Sequence, residues 1–287
     1  MELRQAKRKN AKMKLALQGS AGSGKTYSAL LLASGIAAWE KVSLIDTEHG
    51  SGELYAHLGD YNVLQLDKPF TPERYIKAIE ICEDAGMDVI IIDSISHEWD
   101  GAGGILSIHS NMTGQNSFAN WNKVTPRHNA FVQKILESQC HIIGTIRTKT
   151  DYTLNERNGK VVPEKVGLKG ITRDGMDYEF TIQFEIDVNH NAVATKDRTG
   201  IFSARVEEVI TAEHGKQLLQ WCNEGISIDE VKHQIQNAKT VEELRNILKT
   251  YPEFRKEIEV LAINRKEVLQ NIINEPKISG NGISESK

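Results

Sequence analysis

The sequence lacks a long apolar run and has few cysteines. A membrane-spanning helix needs about 18 consecutive apolar residues, and the sequence contains no run of that length. The three cysteines, Cys82, Cys140 and Cys222, lie far apart without CxxC spacing, so buried thiols are expected rather than disulfides or metal ligands. We therefore expect a cytoplasmic protein that has no membrane partner.

The sequence also has no excess of positive charge, and its histidines and cysteines are not spaced as metal ligands. The 35 basic and 39 acidic residues give a formal net charge of -4, so any surface for nucleic acid has to be local. The histidines show no HxxxH or His-Cys spacing, and no metal other than Mg²⁺ is predicted. The hydrophobic content of 39% and the charged content of 26% are those of an ordinary globular protein.

Short apolar runs rich in β-branched residues alternate with longer helical patterns through the N-terminal two thirds of the chain. This alternation is typical of a parallel sheet covered by crossover helices, and it predicts the α/β class with a mainly parallel sheet. The predicted strands are 13–17, 42–46, 89–93, 141–146, 180–187 and 192–196, and the predicted helices include 25–39, 72–85 and 121–138, the last with Pro126 in its first turns or at its start.

The β signals end near residue 226, and two or three amphipathic helical patterns follow. The last residues are polar and contain glycine and serine, which is typical of a disordered tail. We therefore predict a core domain over 1–225, a small helical module over 226–275 and a disordered tail over 276–287.

A glycine-rich segment follows the first predicted strand and precedes a strong helical pattern. It fits G-x-x-x-x-G-K-[ST], the P-loop pattern, in the strand-loop-helix context that the pattern requires. Glycines let successive backbone N–H groups turn toward an anion, and the helix presents its positive dipole end to the same phosphates. Lys25 is predicted to reach the β and γ phosphates of ATP, and the Thr26 hydroxyl to ligate Mg²⁺. The phosphate-binding residues are Gly19, Ser20, Ala21, Gly22, Ser23, Gly24, Lys25 and Thr26.

Carboxylates for the metal and for the attacking water lie at the ends of predicted strands. Asp93 ends an apolar strand and is the predicted metal-side aspartate, together with Thr26. Hydrolysis also requires a group that orients water, and both Glu48, after the second strand, and Glu98, a few residues past Asp93, are candidates. Their spacing alone does not choose between them.

The order of these motifs resembles that of the RecA-like ATPase superfamily over about residues 10 to 205. The segment IDTEHGSGELYAHLG is similar to the family segment that carries the water-activating glutamate, and DVIIIDSIS is similar to the second nucleotide motif. The resemblance therefore implies a RecA-like P-loop NTPase core, ATP hydrolysis with Mg²⁺, Glu48 as the catalytic residue and Asp93 on the metal.

A narrower resemblance is to phage-encoded RecA-like ATPases, including single-strand annealing proteins. It rests on DSISHEW, on a GLKG segment and on a final K-D-R strand. It implies a recombination protein in the host cytoplasm that binds single-stranded DNA, self-associates into a ring or filament and promotes annealing, with a single-strand-binding protein as a possible partner class. The chain shows no N-terminal oligomerisation domain of the kind found in full recombinases, so annealing is expected rather than strand exchange.

The resemblance to the RecA-like superfamily implies DNA-contacting loops at 97–117 and 149–175, and the second of these is rich in cations. Such a segment can follow a phosphate backbone, although a solvated basic loop is the alternative. Thr145 and Arg147 lie near the end of the fourth predicted strand, where α/β sheets bind ligands, and Thr145 is a predicted nucleotide-binding residue. One of the two is predicted to sense the γ phosphate and to couple it to the cation-rich segment, although a structural ion pair is the alternative role for Arg147. Lys196 and Arg198 match the position of cations that reach the nucleotide of the next subunit in the superfamily. The predicted DNA-binding residues are Lys149, Arg157, Lys160, Lys165, Lys169 and Arg173, with Trp99, Phe118 and Tyr152 as possible stacking residues.

Three other functions are compatible with these residues. A ring-shaped, helicase-like motor would share every nucleotide residue. A P-loop kinase would bind a small acceptor in the long central loops. A protein that binds nucleotide without hydrolysing it would show no turnover that depends on DNA.

Overall fold

The computed structural model describes residues 11–112, 117–157, 160–223 and 228–274. Side chains are described for most of these residues, but not for 117, 150–157, 160–168, 253 and 271–274. Two compact units are present: one comprises Ala11–Cys222, and the other begins at Asn223. The predicted tail, 276–287, lies outside the described residues.

A single sheet organises the larger unit. Among the described residues the strand order is β3-β2-β4-β5-β1-β7-β8-β9, and β6 pairs with β5 alone. Neighbours from β3 to β7 run parallel, whereas the β7–β8, β8–β9 and β5–β6 pairs are antiparallel. The strands are β1 Lys14–Gly19, β2 Val42–Asp46, β3 Asn62–Gln65, β4 Val89–Asp93, β5 His141–Arg157, β6 Lys160–Gly170, β7 Ile182–Ile186, β8 Asn191–Asp197 and β9 Glu208–Val209.

Helices cover both faces of this sheet, because alternate strand residues point to opposite sides. Leu15 and Leu17 pack with the helices Lys25–Ile36 and Ala212–Asn223, whereas Ala16 packs with Pro72–Asp84 and Ser117–Glu137 on the other face. The mixed α/β class with a mainly parallel sheet is thereby confirmed. The helices of this unit are α1 Lys25–Ile36, α2 Pro72–Asp84, α3 Ser96–Asp100, α4 Ile105–Ser110, α5 Ser117–Glu137 and α6 Ala212–Asn223.

The two segments predicted as loops are largely regular structure, so those predictions are wrong. The short helices α3 and α4 occupy much of 97–117, and β5 and β6 form a long antiparallel hairpin through most of 149–175. The hairpin was missed because its many cations and glycines hide the strand pattern. Helix α5 also continues through Pro126, which lies inside it. β3 was missed because it is a four-residue, partly exposed strand without an apolar run.

The smaller unit contains three helices in its described part, α7 Ile228–Asn237, α8 Val241–Thr250 and α9 Arg255–Asn274. Val231, Leu244 and Ile258, one from each helix, belong to its buried core. The Thr240 side chain caps α8 by accepting a hydrogen bond from the backbone N–H of Glu243 at 3.1 Å. In the described parts of the chain, no helix has both the length and the apolar character needed to cross a membrane.

Candidate functional site

The P-loop joins the end of β1 to the start of α1. Gly22 and Gly24 adopt φ angles of 77° and 87°, which favour glycine. A Cβ atom on Gly19 would lie 2.5 Å from both the Ser23 hydroxyl and the carbonyl oxygen of Ile186. The glycines therefore allow a tight loop that a chain with side chains at these positions does not form.

Lys25 begins α1 and folds back over the loop. Its ammonium group donates hydrogen bonds to the carbonyl oxygens of Gly19 at 3.0 Å and Ser20 at 2.8 Å. Burial lowers the pKa of Lys25, and the nearby carboxylates of Asp93 and Glu48 oppose this shift. Lys25, the predicted metal-side aspartate Asp93 and the candidate water-orienting glutamate Glu48 thus share one electrostatic environment.

Asp93 is held between two hydroxyl groups at the end of β4. The Thr26 hydroxyl donates to one carboxylate oxygen at 2.6 Å, and the buried Thr145 hydroxyl donates to the other. Asp93 is 2% exposed, and burial raises the pKa of its carboxyl group although both hydrogen bonds oppose that shift. P-loop, β4 and β5 therefore converge on this one carboxylate.

These residues suit a magnesium-nucleotide complex. The Thr26 hydroxyl and the Asp93 carboxylate are oxygen donors of the kind that Mg²⁺ prefers, and they already lie within hydrogen-bonding distance of each other. The Ser23 hydroxyl is fully buried inside the loop and has no hydrogen-bond partner among the residues that the structure describes. An unsatisfied buried hydroxyl in a glycine-rich loop is consistent with a site that binds a polar group.

Glu48 and Glu98 occupy different environments. Glu48 follows β2 and is partly exposed, and its backbone N–H donates to the Asp46 carboxylate at 2.6 Å. Glu98 is completely buried, and its carboxylate contacts the His128 ring at 3.0 Å. Burial raises the pKa of Glu98, while His128 lowers it. Of the two, Glu48 keeps a carboxylate that water can reach.

A hydrogen-bonded chain leads away from Asp93 and was not predicted from the sequence. The Thr47 hydroxyl donates to the backbone carbonyl of Asp93 at 3.0 Å and lies 2.8 Å from the Nδ1 atom of His97. The Nε2 atom of His97 in turn lies 3.0 Å from the Arg147 guanidinium. Burial lowers the pKa of His97, and Arg147 lowers it further, so the neutral ring that accepts from Arg147 is favoured.

A second residue missed by the sequence interpretation, His190, lies against the P-loop. It precedes β8, has a φ angle of 71°, and its Nδ1 atom is 3.0 Å from the Ser23 carbonyl oxygen. Its ring also lies 3.0 Å from the position that a Cβ atom on Gly24 would take. No local motif marks this residue, because 167 positions separate it from Ser23.

Lys196 and Arg198 are bound within their own chain. The Lys196 ammonium donates to the backbone carbonyls of Asp177 and Tyr178, both at 2.7 Å, and Arg198 donates to the Tyr178 carbonyl at 2.9 Å. Neither is described in contact with the P-loop of this chain. Their action on the nucleotide of a neighbouring subunit stays a prediction.

The predicted DNA-binding cations lie on the hairpin and just beyond it. Lys149 on β5 is exposed and is the register partner of Lys169 on β6. Lys169 pairs with Asp174 at 2.8 Å, and Arg173 donates to Asn129 at 3.4 Å. Three more lie on the hairpin backbone, but their side chains are outside the described part: Arg157, Lys160 and Lys165.

Comparison with known proteins assigns the larger unit to a family. A family model described as an AAA domain matches residues 11–218, which is most of the chain and includes every residue of the site. No curated protein matches the sequence significantly. The P-loop, the Asp93 carboxylate and the parallel sheet described above fit this assignment. The protein belongs to the AAA domain family of P-loop ATPases.

Proposed function

We propose that the protein hydrolyses ATP with Mg²⁺, binds single-stranded DNA and promotes the annealing of complementary strands. The observation that carries this proposal is the continuity of β5. Its first part supplies Thr145, which hydrogen-bonds Asp93 in the nucleotide site, and its second part forms the cation-bearing hairpin. One strand therefore connects the two binding functions.

Each residue of the site has a separate proposed role toward the nucleotide. Backbone N–H groups of the P-loop and the Lys25 ammonium hold the phosphates, which requires Lys25 to exchange its carbonyl partners for phosphate oxygens. Thr26 and Asp93 hold the metal, whose charge helps to neutralise the phosphates when it is bound. Glu48 orients the attacking water, since it is partly exposed and follows the strand beside Asp93.

The Thr47–His97–Arg147 chain is the proposed coupling between nucleotide and DNA. Thr47 precedes Glu48 and contacts the backbone of Asp93, whereas Arg147 precedes the hairpin. A change in nucleotide state that moves either acidic residue would alter the hydrogen bonds of Arg147. The orientation of the hairpin would change with them, which favours one DNA-binding state.

Self-association into a ring or filament is part of the proposal. It is supported by the resemblance to RecA-like phage recombination ATPases and by the position of Lys196 and Arg198 at the end of β8. In such an assembly these two cations would exchange the carbonyls of Asp177 and Tyr178 for the phosphates of a neighbouring subunit. A single-strand-binding protein is the partner class that the resemblance suggests.

The test is steady-state ATP hydrolysis with and without single-stranded DNA, at low and moderate salt. We expect stimulation by single strands, loss of hydrolysis in Lys25→Ala, and a smaller ratio of stimulated to basal rate in Arg147→Gln. Annealing of two complementary labelled oligonucleotides is then measured directly.

Unwinding of a forked duplex in place of annealing would indicate a helicase-like motor. Absence of both stimulation and salt-sensitive DNA binding would refute the DNA role. The assignment to the ATPase family would stand in that case, and a small-molecule acceptor would be the favoured substrate class.

A further inference from the structure

A cleft of about 730 Å³ lies beside the base of the hairpin. Aromatic and apolar side chains from α3, α4 and α5 line one part of it, and residues 169–174 with Lys149 line another. Its volume is in the range of pockets that bind small molecules or parts of polymers. The lining residues used below are Trp99, Leu106, Trp121, Lys149, Lys169 and Arg173.

The two tryptophans that line the cleft stack together with a third ring, that of His109, which does not line it. The rings of Trp99 and Trp121 lie 5.9 Å apart with an angle of 22° between their planes, and the His109 ring lies 4.2 Å from Trp121. The edge of Trp99 also meets His128, which is buried against Glu98. Both tryptophans are only partly buried, so ring surface remains open to the cleft.

Cations face this aromatic surface, and acidic residues partly balance them. Lys149, Lys169 and Arg173 line the cleft together with Asp100 and Asp174. Because Asp174 pairs with Lys169, the local charge is only modestly positive. Such a wall can hold one or two phosphates, but it does not supply the dense positive charge that binds duplex DNA through its backbone alone.

We propose that this cleft seats a base of single-stranded DNA on the Trp99–Trp121 surface, with Lys149 beside the adjoining phosphate. This inference rests on the proposed function and names the DNA subsite within it. Planar rings next to cations are the chemistry that binds unpaired bases, since every base offers a face for stacking. Bases within a duplex are stacked on each other and do not present that face.

The cleft is also joined to the nucleotide site through α3. This helix carries His97, which contacts Thr47 and Arg147, and Trp99, which lines the cleft. A shift of α3 that follows the nucleotide state would therefore move the stacking surface. The occupied cleft would in turn bias the same helix, which would account for the stimulation of hydrolysis by DNA that the proposed function expects.

The experiment measures binding of a fluorescent oligothymidine by anisotropy across a salt series, with the full chain and Mg-ATP. Trp121→Ala is expected to weaken binding about 5- to 100-fold without changing the salt dependence, since stacking carries no charge. Trp121→Phe, which keeps an aromatic face, is expected to restore most of the affinity. Lys149→Gln is expected to reduce the slope of log affinity against log salt by about 0.7.

Two controls make the test specific. Val206→Ala removes an apolar side chain that is 84% exposed and does not line the cleft, and it is expected to leave binding unchanged. An oligonucleotide of the same length with abasic sites keeps the phosphates and removes the bases. It is expected to bind wild type as weakly as oligothymidine binds Trp121→Ala, and it needs no altered protein should that variant fail to fold.

The outcomes separate this inference from the proposed function. Wild type that binds oligothymidine and the abasic oligonucleotide equally, with no loss in Trp121→Ala, would overturn the base-stacking cleft and leave DNA binding intact. Wild type that binds neither would overturn DNA binding itself. Tighter binding of an RNA oligonucleotide of the same sequence would overturn the assignment of the cleft to DNA.

Discussion

Acid is expected to destabilise the larger unit through one buried histidine, His141. This residue opens β5 and is 4% exposed. Its Nδ1 atom accepts a hydrogen bond from the backbone N–H of Met13 at 3.1 Å, immediately before β1. Burial, with the nearby cations Lys12 and Lys14, lowers the pKa of His141 from 6.5 to about 3. A protonated ring would place two donors against each other and a charge in the core.

The magnitude follows from the difference in proton binding between the folded and unfolded chains. When folding lowers the pKa of a group, its contribution to stability is fully present above the pKa of the unfolded chain. That contribution is lost as the pH falls toward the pKa of the folded chain. Between about pH 7.5 and about pH 5 the unfolded imidazole binds a proton and the folded one does not, so His141 alone removes about 2 kcal/mol. That is a large part of the 5–15 kcal/mol typical of a folded domain.

The assay is urea unfolding followed by tryptophan fluorescence over this pH range. All four tryptophans, Trp39, Trp99, Trp121 and Trp221, lie within 11–222, so the signal reports on the larger unit alone. His141→Asn is the matched variant, because the amide oxygen can accept the Met13 hydrogen bond and does not titrate. The difference between wild type and variant isolates His141 from all other titrating groups.

We expect the variant to lose about 2 kcal/mol less than wild type over the same pH interval. Equal losses in the two proteins would show that the folded imidazole takes up protons as readily as the unfolded one. The assignment of Nδ1 as a buried acceptor would then be wrong.

Three further predictions concern the site and its scaffold. Glu48→Gln is expected to lower kcat for ATP hydrolysis about 10²- to 10⁴-fold in a coupled-enzyme assay, with little change in nucleotide affinity, whereas Glu98→Gln should keep the wild-type rate. The reverse pattern would assign the water-orienting role to Glu98. Gly35→Ala would place a Cβ atom 2.0 Å from a backbone carbonyl oxygen at the start of α6, so the free energy of unfolding in urea titrations should fall by about 1–3 kcal/mol. An unchanged urea midpoint would contradict the close packing of α1 on α6. Thr145→Val removes the buried donor to the carboxylate of Asp93, the proposed metal ligand, and should raise the Mg²⁺ concentration needed for half-maximal hydrolysis, whereas Thr145→Ser should not. Equal Mg²⁺ requirements in the two variants would argue against the hydrogen bond.

The P-loop was predictable because the residues that form it are contiguous in the sequence. The P-loop needs glycines, a lysine and a hydroxyl residue at fixed spacing, whatever the rest of the chain does. The position of Asp93 beside the P-loop was predictable for a related reason, since a carboxylate at the end of an apolar strand in a parallel sheet emerges at the edge where α/β sheets bind ligands. The α/β class followed from the alternation of strand and helix patterns.

The spacing of Glu48 and Glu98 in the sequence did not show which of them lies open to water. The sequence also did not reveal three other features: the contact of His190 with the P-loop, the Thr47–His97–Arg147 chain and the Trp99–Trp121 stack. Each of these depends on residues that the sheet topology brings together from distant parts of the chain: His128 lies 30 positions from Glu98, and His190 lies 167 positions from Ser23. Local sequence determines which segments bind phosphate and form strands, because those properties depend on neighbouring residues. Only the tertiary structure decides which side chains are buried, paired or open to a cleft, because burial and pairing depend on contacts that no local pattern records.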